Sequence, residues 1–177
     1  AAGAWEEIMA RVKDVDKAEL LDFSVVEESE GFAPVPVSKY VLRVESADVR
    51  VGKESGNPYV NMATVVVEDK DGGQYRGRYI WHTISLVGST PEKTKTVQGM
   101  AKKVYRVITG EEFTVKGVTA AGAAAAIARD IKGGTFVGRV KISVPNEEGM
   151  KKGYTPKNEI VDFAPATEWE KEGKLGW

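Results

Sequence analysis

Five segments of the chain have the length and composition of β-strands, and in the first and fourth the side chains alternate between two faces as in half-buried strands. They are residues 39–51, 59–68, 75–86, 135–145 and 157–166. Two segments with helical spacing, residues 96–109 and 119–134, lie between the third and fourth strands. Three strands, a helical insert and two strands form the order of the OB-fold, a small Greek-key barrel that commonly binds oligonucleotides. We therefore predict a mainly β chain that forms a five-stranded OB-fold barrel, with helices between strands 3 and 4.

The second and third predicted strands are joined by a short polar turn. Asp71, Gly72 and Gly73 tolerate the positive φ angles that hairpin turns require. Gly77 lies within the third predicted strand, where glycine indicates a bulge or a close backbone approach. We expect an antiparallel hairpin with an irregularity at Gly77.

The predicted barrel is flanked by two segments of different character. Residues 1–31 form an N-terminal extension, in which Trp5, Ile8 and Val12 lie on one stripe of a short predicted helix. The barrel domain is predicted over residues 32–166. Residues 167–177 are predicted to be a flexible C-terminal tail.

Composition excludes several kinds of site. The 177 residues have a net charge of −1, which does not by itself favour a polyanionic partner, although local patches decide such binding. The chain has no cysteine and one histidine, which excludes disulfides and thiolate zinc sites. No apolar run approaches the ~18 residues that span a membrane, and no signal peptide is apparent. We expect a cytosolic protein with no membrane association.

Aromatic and basic residues are concentrated in the second and third predicted strands. They are Tyr59, Arg76, Arg78, Tyr79 and Trp81. Proteins bind single strands through aromatic rings that stack on bases and cations that follow the phosphates. Strict alternation would separate the arginines from Tyr79 and Trp81, whereas a bulge at Gly77 would let Arg76 and Tyr79 share a face. The alternatives are that Trp81 and one tyrosine belong to the core, and that the arginines lie on a solvated face.

Two predicted loops add further cations and aromatic rings. Lys53 precedes Tyr59 in the loop between strands 1 and 2, and the loop between strands 4 and 5 contributes Lys151, Lys152, Tyr154 and Lys157. These loops flank the binding face in OB-folds. The alternative is that they are ordinary solvated loops. For the basic residues of the helical insert, a solvated helix face is the preferred interpretation; they are Lys93, Lys95, Lys102, Lys103 and Arg106.

Catalysis has little support in the sequence. His82 has no nucleophile motif around it, and Asp69 and Asp71 suit turn geometry. The segment "GKESGN" lacks the spacing of a phosphate-binding loop. We expect no enzymatic activity and no cofactor. A nuclease that uses scattered carboxylates and a divalent metal is the least favoured alternative.

Several motifs resemble the small single-stranded-DNA-binding proteins encoded by tailed bacteriophages. They are K-x-S-G-N-P-Y (residues 53–59), the Gly-Arg pair at residues 77–78 and G-Y-x-x-K-N-E-I (residues 153–160), and the similarity spans residues 32–166. The resemblance implies an OB-fold that coats single-stranded DNA in phage replication or recombination, in the cytoplasm of the infected bacterial host. It also implies that Tyr59, Arg76, Arg78, Tyr79, Trp81 and Tyr154 contact DNA.

The chain departs from this group of functions at its C-terminus. Bacterial proteins of this kind often end in an acidic tail with a hydrophobic tip that recruits replication or recombination proteins. Here Glu168, Glu170 and Glu172 precede Trp177, but Lys171 and Lys174 dilute the acidity. The near-neutral charge and the Trp-containing termini leave a second function open, a protein-interaction or assembly module on the same kind of barrel.

Overall fold

A computed structural model of the chain describes residues 20–25 and 33–172. Its five strands are β1 (Ser38–Val51), β2 (Pro58–Glu68), β3 (Tyr79–Ser85), β4 (Thr135–Ser143) and β5 (Lys157–Pro165). The predicted five strands and the helical insert between strands 3 and 4 are confirmed. The predicted third strand, residues 75–86, is too long, because the observed strand begins at Tyr79.

The strands form one antiparallel sheet in the order β3-β2-β1-β4-β5. β1 lies in the centre, since its first half pairs with β4 while β2 runs along nearly all of it. β3 and β5 are the two edges of this open sheet. The structure therefore establishes a mainly β fold, and the sheet does not close into the predicted barrel through a further ladder.

Two long helices form the insert. α1 (Pro91–Thr109) begins five residues before its predicted start, because Thr90 accepts a hydrogen bond from the Lys93 N–H as N-cap and Pro91 occupies the first turn. It ends at Gly110 in the left-handed conformation, as the sequence indicates. α2 (Ala120–Ile131) starts after Thr119, whose hydroxyl accepts from the Gly122 N–H.

Two short helices follow in segments without predicted structure. α3 (Glu147–Lys151) lies in the predicted polar loop between strands 4 and 5, where Asn146 caps it by accepting from the Gly149 N–H. α4 (Thr167–Glu172) lies in the predicted C-terminal tail. The hydrogen bond that Asn146 accepts as N-cap of α3 is not recorded by the hydrophobic pattern.

The core lies between one face of the sheet and the two long helices. β1 contributes Tyr40, Leu42 and Val44, which are buried as their alternation predicts. The other main members come from β2 to β5 and the helices: Val60, Met62, Val66, Ile80, Ile84, Val104, Ile127, Ile131, Phe136, Val140, Ile160 and Phe163. Burial of such side chains is the dominant stabilising term for the domain.

The chain divides into two units, residues Ala1–Ala33 and Pro34–Trp177. In the first, Phe23–Val25 form one 3₁₀ turn, beside which Asp22 accepts from the Ser24 backbone N–H. The predicted helix at residues 5–12 and the end of the tail, residues 173–177, lie outside the described residues. Within the described part of the chain, no helix has the length and apolar character needed to cross a membrane.

Candidate nucleic-acid interface

Strand register assigns the residues of β2 and β3 to two faces. Directly paired residues of antiparallel strands point to the same side of the sheet. Ile80 and Ile84 pair with Thr64 and Val60 on the core side. We call the opposite side the outer face; its residues are Tyr59, Asn61, Ala63 and Val65 of β2, and Tyr79, Trp81, Thr83 and Ser85 of β3.

The largest side chains of the outer face are Tyr79 and Trp81. They are 49% and 59% exposed, and their rings stack with centroids 5.7 Å apart and planes inclined by 26°. They pair with Val65 and Ala63, which are almost fully buried. Trp81 is thus a surface residue, and the alternative that placed it in the core is wrong.

Tyr59 lies at the other end of the outer face. It is half-buried and pairs with Ser85, four residues along β3 from Trp81. At the usual rise of a strand, this separates Tyr59 from Trp81 by roughly 13 Å. The polar pair Asn61 and Thr83 lies between them. The outer face is therefore a strip with aromatic rings at both ends and hydrogen-bonding groups in the middle.

Asp69 organises the connection between β2 and β3, residues 69–78. Its carboxylate accepts hydrogen bonds from the backbone N–H groups of Asp71, Gly73 and Tyr75, each 2.8 Å long. Burial alone would raise the pKa of Asp69, but these donors outweigh it and the pKa lies below its usual value. The hydrogen bonds fold residues 69–75 into a turn instead of a strand.

Arg76 and Arg78 consequently lie in this connection. The prediction that they belong to the third strand is wrong. Arg76 is exposed and Arg78 is half-buried. The connection joins β3 directly before Tyr79. Both arginines therefore lie close in sequence to the aromatic end of the outer face, although not on its strands.

Gly77 forms the predicted bulge. Its N–H donates to the Val66 carbonyl at 3.0 Å, and the Val66 N–H donates to the Arg78 carbonyl at 2.9 Å, so two residues oppose one. Gly77 has φ of 83°, the left-handed conformation that glycine adopts in this type of bulge. The bulge sets the register in which Tyr79 and Trp81 face outward.

Lys53 lies at the far end of the sheet from the arginines. It is exposed in the loop after Val51, where the Gly52 N–H donates to the Asn57 carbonyl. Arg50, which precedes this loop, pairs with Tyr59 and shares its face. Lys53 and Tyr59 therefore lie at the same end, as their spacing predicts.

The connection between β4 and β5 presents the remaining candidates. Lys151, Lys152 and Lys157 are exposed, and Tyr154 is 65% exposed beside α3. The register of β1 sets this connection at the end of the sheet where Ser38 pairs with Val140, and Lys53 follows the opposite end, Val51. The two cationic loops thus lie at opposite ends of the 14-residue strand β1.

His82 lies on the core side of β3. Its ring contacts that of Phe163 on β5, with centroids 5.0 Å apart, and burial lowers the pKa of His82 to about 4. A neutral imidazole packed on an aromatic ring fits a structural role for His82. No group of three or more potential metal ligands converges within the described residues.

The basic residues of the helical insert are mostly solvated, as expected. Lys93, Lys95, Lys102 and Arg106 are exposed. Lys103 differs, because its Nζ contacts the Asp162 carboxylate at 2.8 Å, which lowers the pKa of that carboxyl. α1 is thereby linked to β5.

Sequence reasoning did not identify Asn61, Thr83 and Arg50 as members of the same face as Tyr59 and Trp81. Each is an ordinary polar residue on a strand. Their proximity follows from the β1–β2 and β2–β3 registers, and the bulge at Gly77 helps to set the second of these. The glycine was the available signal, but its hydrogen-bond partner on β2 was not predictable from local sequence.

Residues 20–116 match the model of a family described as "Protein of unknown function (DUF669)". The chain belongs to this family. The matched region contains β1, β2, β3 and α1, and therefore the whole outer face of β2 and β3. A search of curated proteins finds no match.

Proposed function

We propose that this DUF669 protein binds single-stranded DNA without strong sequence preference, and so coats and protects it during phage DNA replication or recombination. The observation that carries the proposal is the exposed, stacked pair of Tyr79 and Trp81 on the outer face. Such rings offer planar surfaces to bases, and each stacked base contributes ~1–3 kcal/mol with little sequence preference.

Cations near the aromatic residues support the same function. Arg76 and Arg78 precede Tyr79, while Lys53 lies beyond the end at which Tyr59 is found. A strand that follows the outer face would bring its phosphates near cations at both ends. The proposed surface extends to the connection between β4 and β5, which contributes Lys151, Lys152, Tyr154 and Lys157.

The proposal includes an OB-type barrel as the finer description of the fold. Strands 3 and 5, the edges of the open sheet, approach each other where His82 contacts Phe163. The strand order and the helices between β3 and β4 match that architecture. The resemblance to phage proteins supports a role in the host cytoplasm and a tail that contacts replication or recombination proteins. Binding of this kind requires no catalysis and no cofactor.

Fluorescence anisotropy tests the proposal directly. We expect the full chain to bind a labelled oligothymidylate more tightly than a duplex of the same length. Affinity should fall steeply between two salt concentrations because phosphate contacts release counterions. Equal affinity for both nucleic acids, or binding to neither, would refute the proposal. Quenching of Trp fluorescence by the oligonucleotide, lost in Trp81→Phe, would assign the stacking to Trp81.

A protein-interaction module is a second candidate, favoured by a groove of about 510 Å³ between α1, α2 and the segment that joins them. Its apolar lining includes Leu86, Phe113, Val115 and Ile127. A stable protein partner that is lost in Val115→Asp, together with no binding to single strands, would favour this function over the first.

A further inference from the structure

The second half of β1 has one open edge. β4 pairs with β1 from Ser38 to Arg43, and Val44 exchanges hydrogen bonds with Gly133 and Gly134. Beyond this point, residues 45–51 pair with β2 on one side, and no described strand pairs with them on the other. Open edges are templates for the addition of a further strand.

The direction of the backbone groups along this edge follows from the register. The backbone groups of Val66 form hydrogen bonds with Gly77 and Arg78 on the β3 side. The backbone N–H and C=O groups of even-numbered β2 residues therefore point towards β3, and those of odd-numbered residues point towards β1. The β1 partners of residues 59, 61 and 63 are Arg50, Asp48 and Ser46, which therefore bond to β2. Ala47, Val49 and Val51 consequently direct their N–H and C=O groups towards the open edge.

The side chains of this edge carry opposite charges that could pair between two copies of the chain. Asp48 and Arg50 are exposed on the outer face, two residues apart. Val49 and Val51 point to the opposite side of the sheet, where they are 39% and 61% exposed. In an antiparallel pair of two such strands, residues on either side of the two-fold axis face each other. Charge complementarity therefore depends on which residue lies on the axis.

Only one of the three central registers pairs opposite charges. With Val49 on the axis, Asp48 of each copy faces Arg50 of the other on one side of the sheet, and Ala47 faces Val51 on the other. In this register Val49 also lies opposite Val49 of the other copy. The backbone groups of Ala47, Val49 and Val51 face the edge, so the Val49–Val49 and Ala47–Val51 pairs each exchange two hydrogen bonds, and the Asp48–Arg50 pairs contribute through their side chains. With Asp48 or Arg50 on the axis, like charges would lie directly opposite, which is destabilising.

We propose that the β1 edge, residues 45–51, is a self-association surface that pairs antiparallel with the same edge of a second copy of this chain, centred on Val49. The occupant is a second copy because the edge presents a charge pattern that its own two-fold repeat neutralises. The resulting sheet would continue from β3-β2-β1 of one copy into β1-β2-β3 of the other. This inference does not depend on the proposed binding of DNA.

Sedimentation velocity of the full chain without nucleic acid tests this surface. We expect a concentration-dependent dimer, and we expect Asp48→Arg or Arg50→Asp alone to raise its dissociation constant about tenfold or more, because two attractive pairs become repulsive. An equimolar mixture of the two variants should restore dimers, since one variant then presents two arginines to two aspartates. The double variant Asp48→Arg/Arg50→Asp should also dimerise.

Val49→Pro provides an independent test of the backbone contacts. It removes an N–H that faces the edge and not β2, so the β1–β2 ladder is retained while the dimer is lost. Circular dichroism of each variant establishes that it is folded. A wild-type chain that stays monomeric up to ~100 μM, or single-charge variants that associate like wild type, would overturn the proposal. A mixture that fails to recover dimers would overturn the Val49-centred register.

Discussion

The two faces of the β2–β3 hairpin are built from alternate residues of the same strands, yet they differ in what they contact. On the core side, Met62, Ile80 and Ile84 are almost fully buried. On the outer face, Tyr79 and Trp81 are exposed although they carry large aromatic rings. Burial of the outer rings would have stabilised the fold, and their exposure supports the proposal that this face binds a ligand. The difference separates residues needed for stability from residues proposed for binding.

The largest expected effect is on stability, from a change on the core side. Ile80→Ala should lower the free energy of unfolding by about 2–5 kcal/mol, because it leaves a cavity in a close-packed region. Trp81→Ala, one position along, should lower it by only about 0.5 kcal/mol or less, as surface changes do. Urea denaturation followed by circular dichroism measures both. Similar losses for the two variants would show that the outer face contributes to the core.

The histidine of the core side makes stability depend on pH. The pKa of His82 is about 4 when folded and near 6.5 when unfolded, so the unfolded chain binds the proton more readily. The free energy of unfolding is therefore highest above pH 6.5 and decreases by roughly 3 kcal/mol as the pH falls towards 4.

His82→Phe keeps a ring against Phe163 but cannot titrate. Denaturation at pH 7 and pH 4 should therefore show a smaller difference for this variant than for wild type. An unchanged pH dependence would mean that other groups account for it, and that His82 is solvated when the protein is folded.

The sequence predicts the strands of this hairpin but not its connection. Alternation locates both strands, and Gly77 indicates the bulge because few other residues adopt its φ. The three hydrogen bonds to Asp69 leave no trace in the hydrophobic pattern, so Tyr75, Arg76 and Arg78 continue the apparent strand. Alternation also could not decide which face is buried. Ile80 and Trp81 are both apolar, and the core contacts of Ile80 are made with residues distant in sequence.

The connection can be tested through Asp69. Asp69→Asn should lower the free energy of unfolding at pH 7 by ~1–3 kcal/mol, because three backbone N–H donors lose a charged acceptor. Since the folded pKa is lowered, the stabilisation is present above the ordinary value of 3.8 and is lost as the pH falls through the folded pKa. The wild type and the variant should therefore converge in stability below pH 3.8. A difference that is constant with pH would exclude the carboxylate as its source.

On the outer face, the expected effect is on binding. Trp81→Ala should weaken binding to oligothymidylate by roughly 5- to 150-fold, the equivalent of one stacked base. Tyr79→Ala should weaken it similarly, and the double variant by less than the product because the two rings contact each other. Anisotropy titrations at one fixed salt concentration give these ratios. Thr83→Ala, on the same face but without a ring, is the matched control. Wild-type affinity in the double variant would show that the outer face does not bind the oligonucleotide.

The smallest effect concerns the cations of the connection. Because each lost phosphate contact reduces the dependence of log K on log[salt] by about 1, Arg76→Ala with Arg78→Ala should reduce that slope by up to ~2. Lys93→Ala with Lys95→Ala removes the same charge from exposed positions of α1 and should leave the slope unchanged. Anisotropy titrations at four or more salt concentrations measure both slopes. Equal reductions would mean that net charge, and not the position of Arg76 and Arg78 beside the outer face, determines the salt dependence. An unchanged slope in both would indicate that the phosphates contact the lysines between β4 and β5 and not this end of the hairpin.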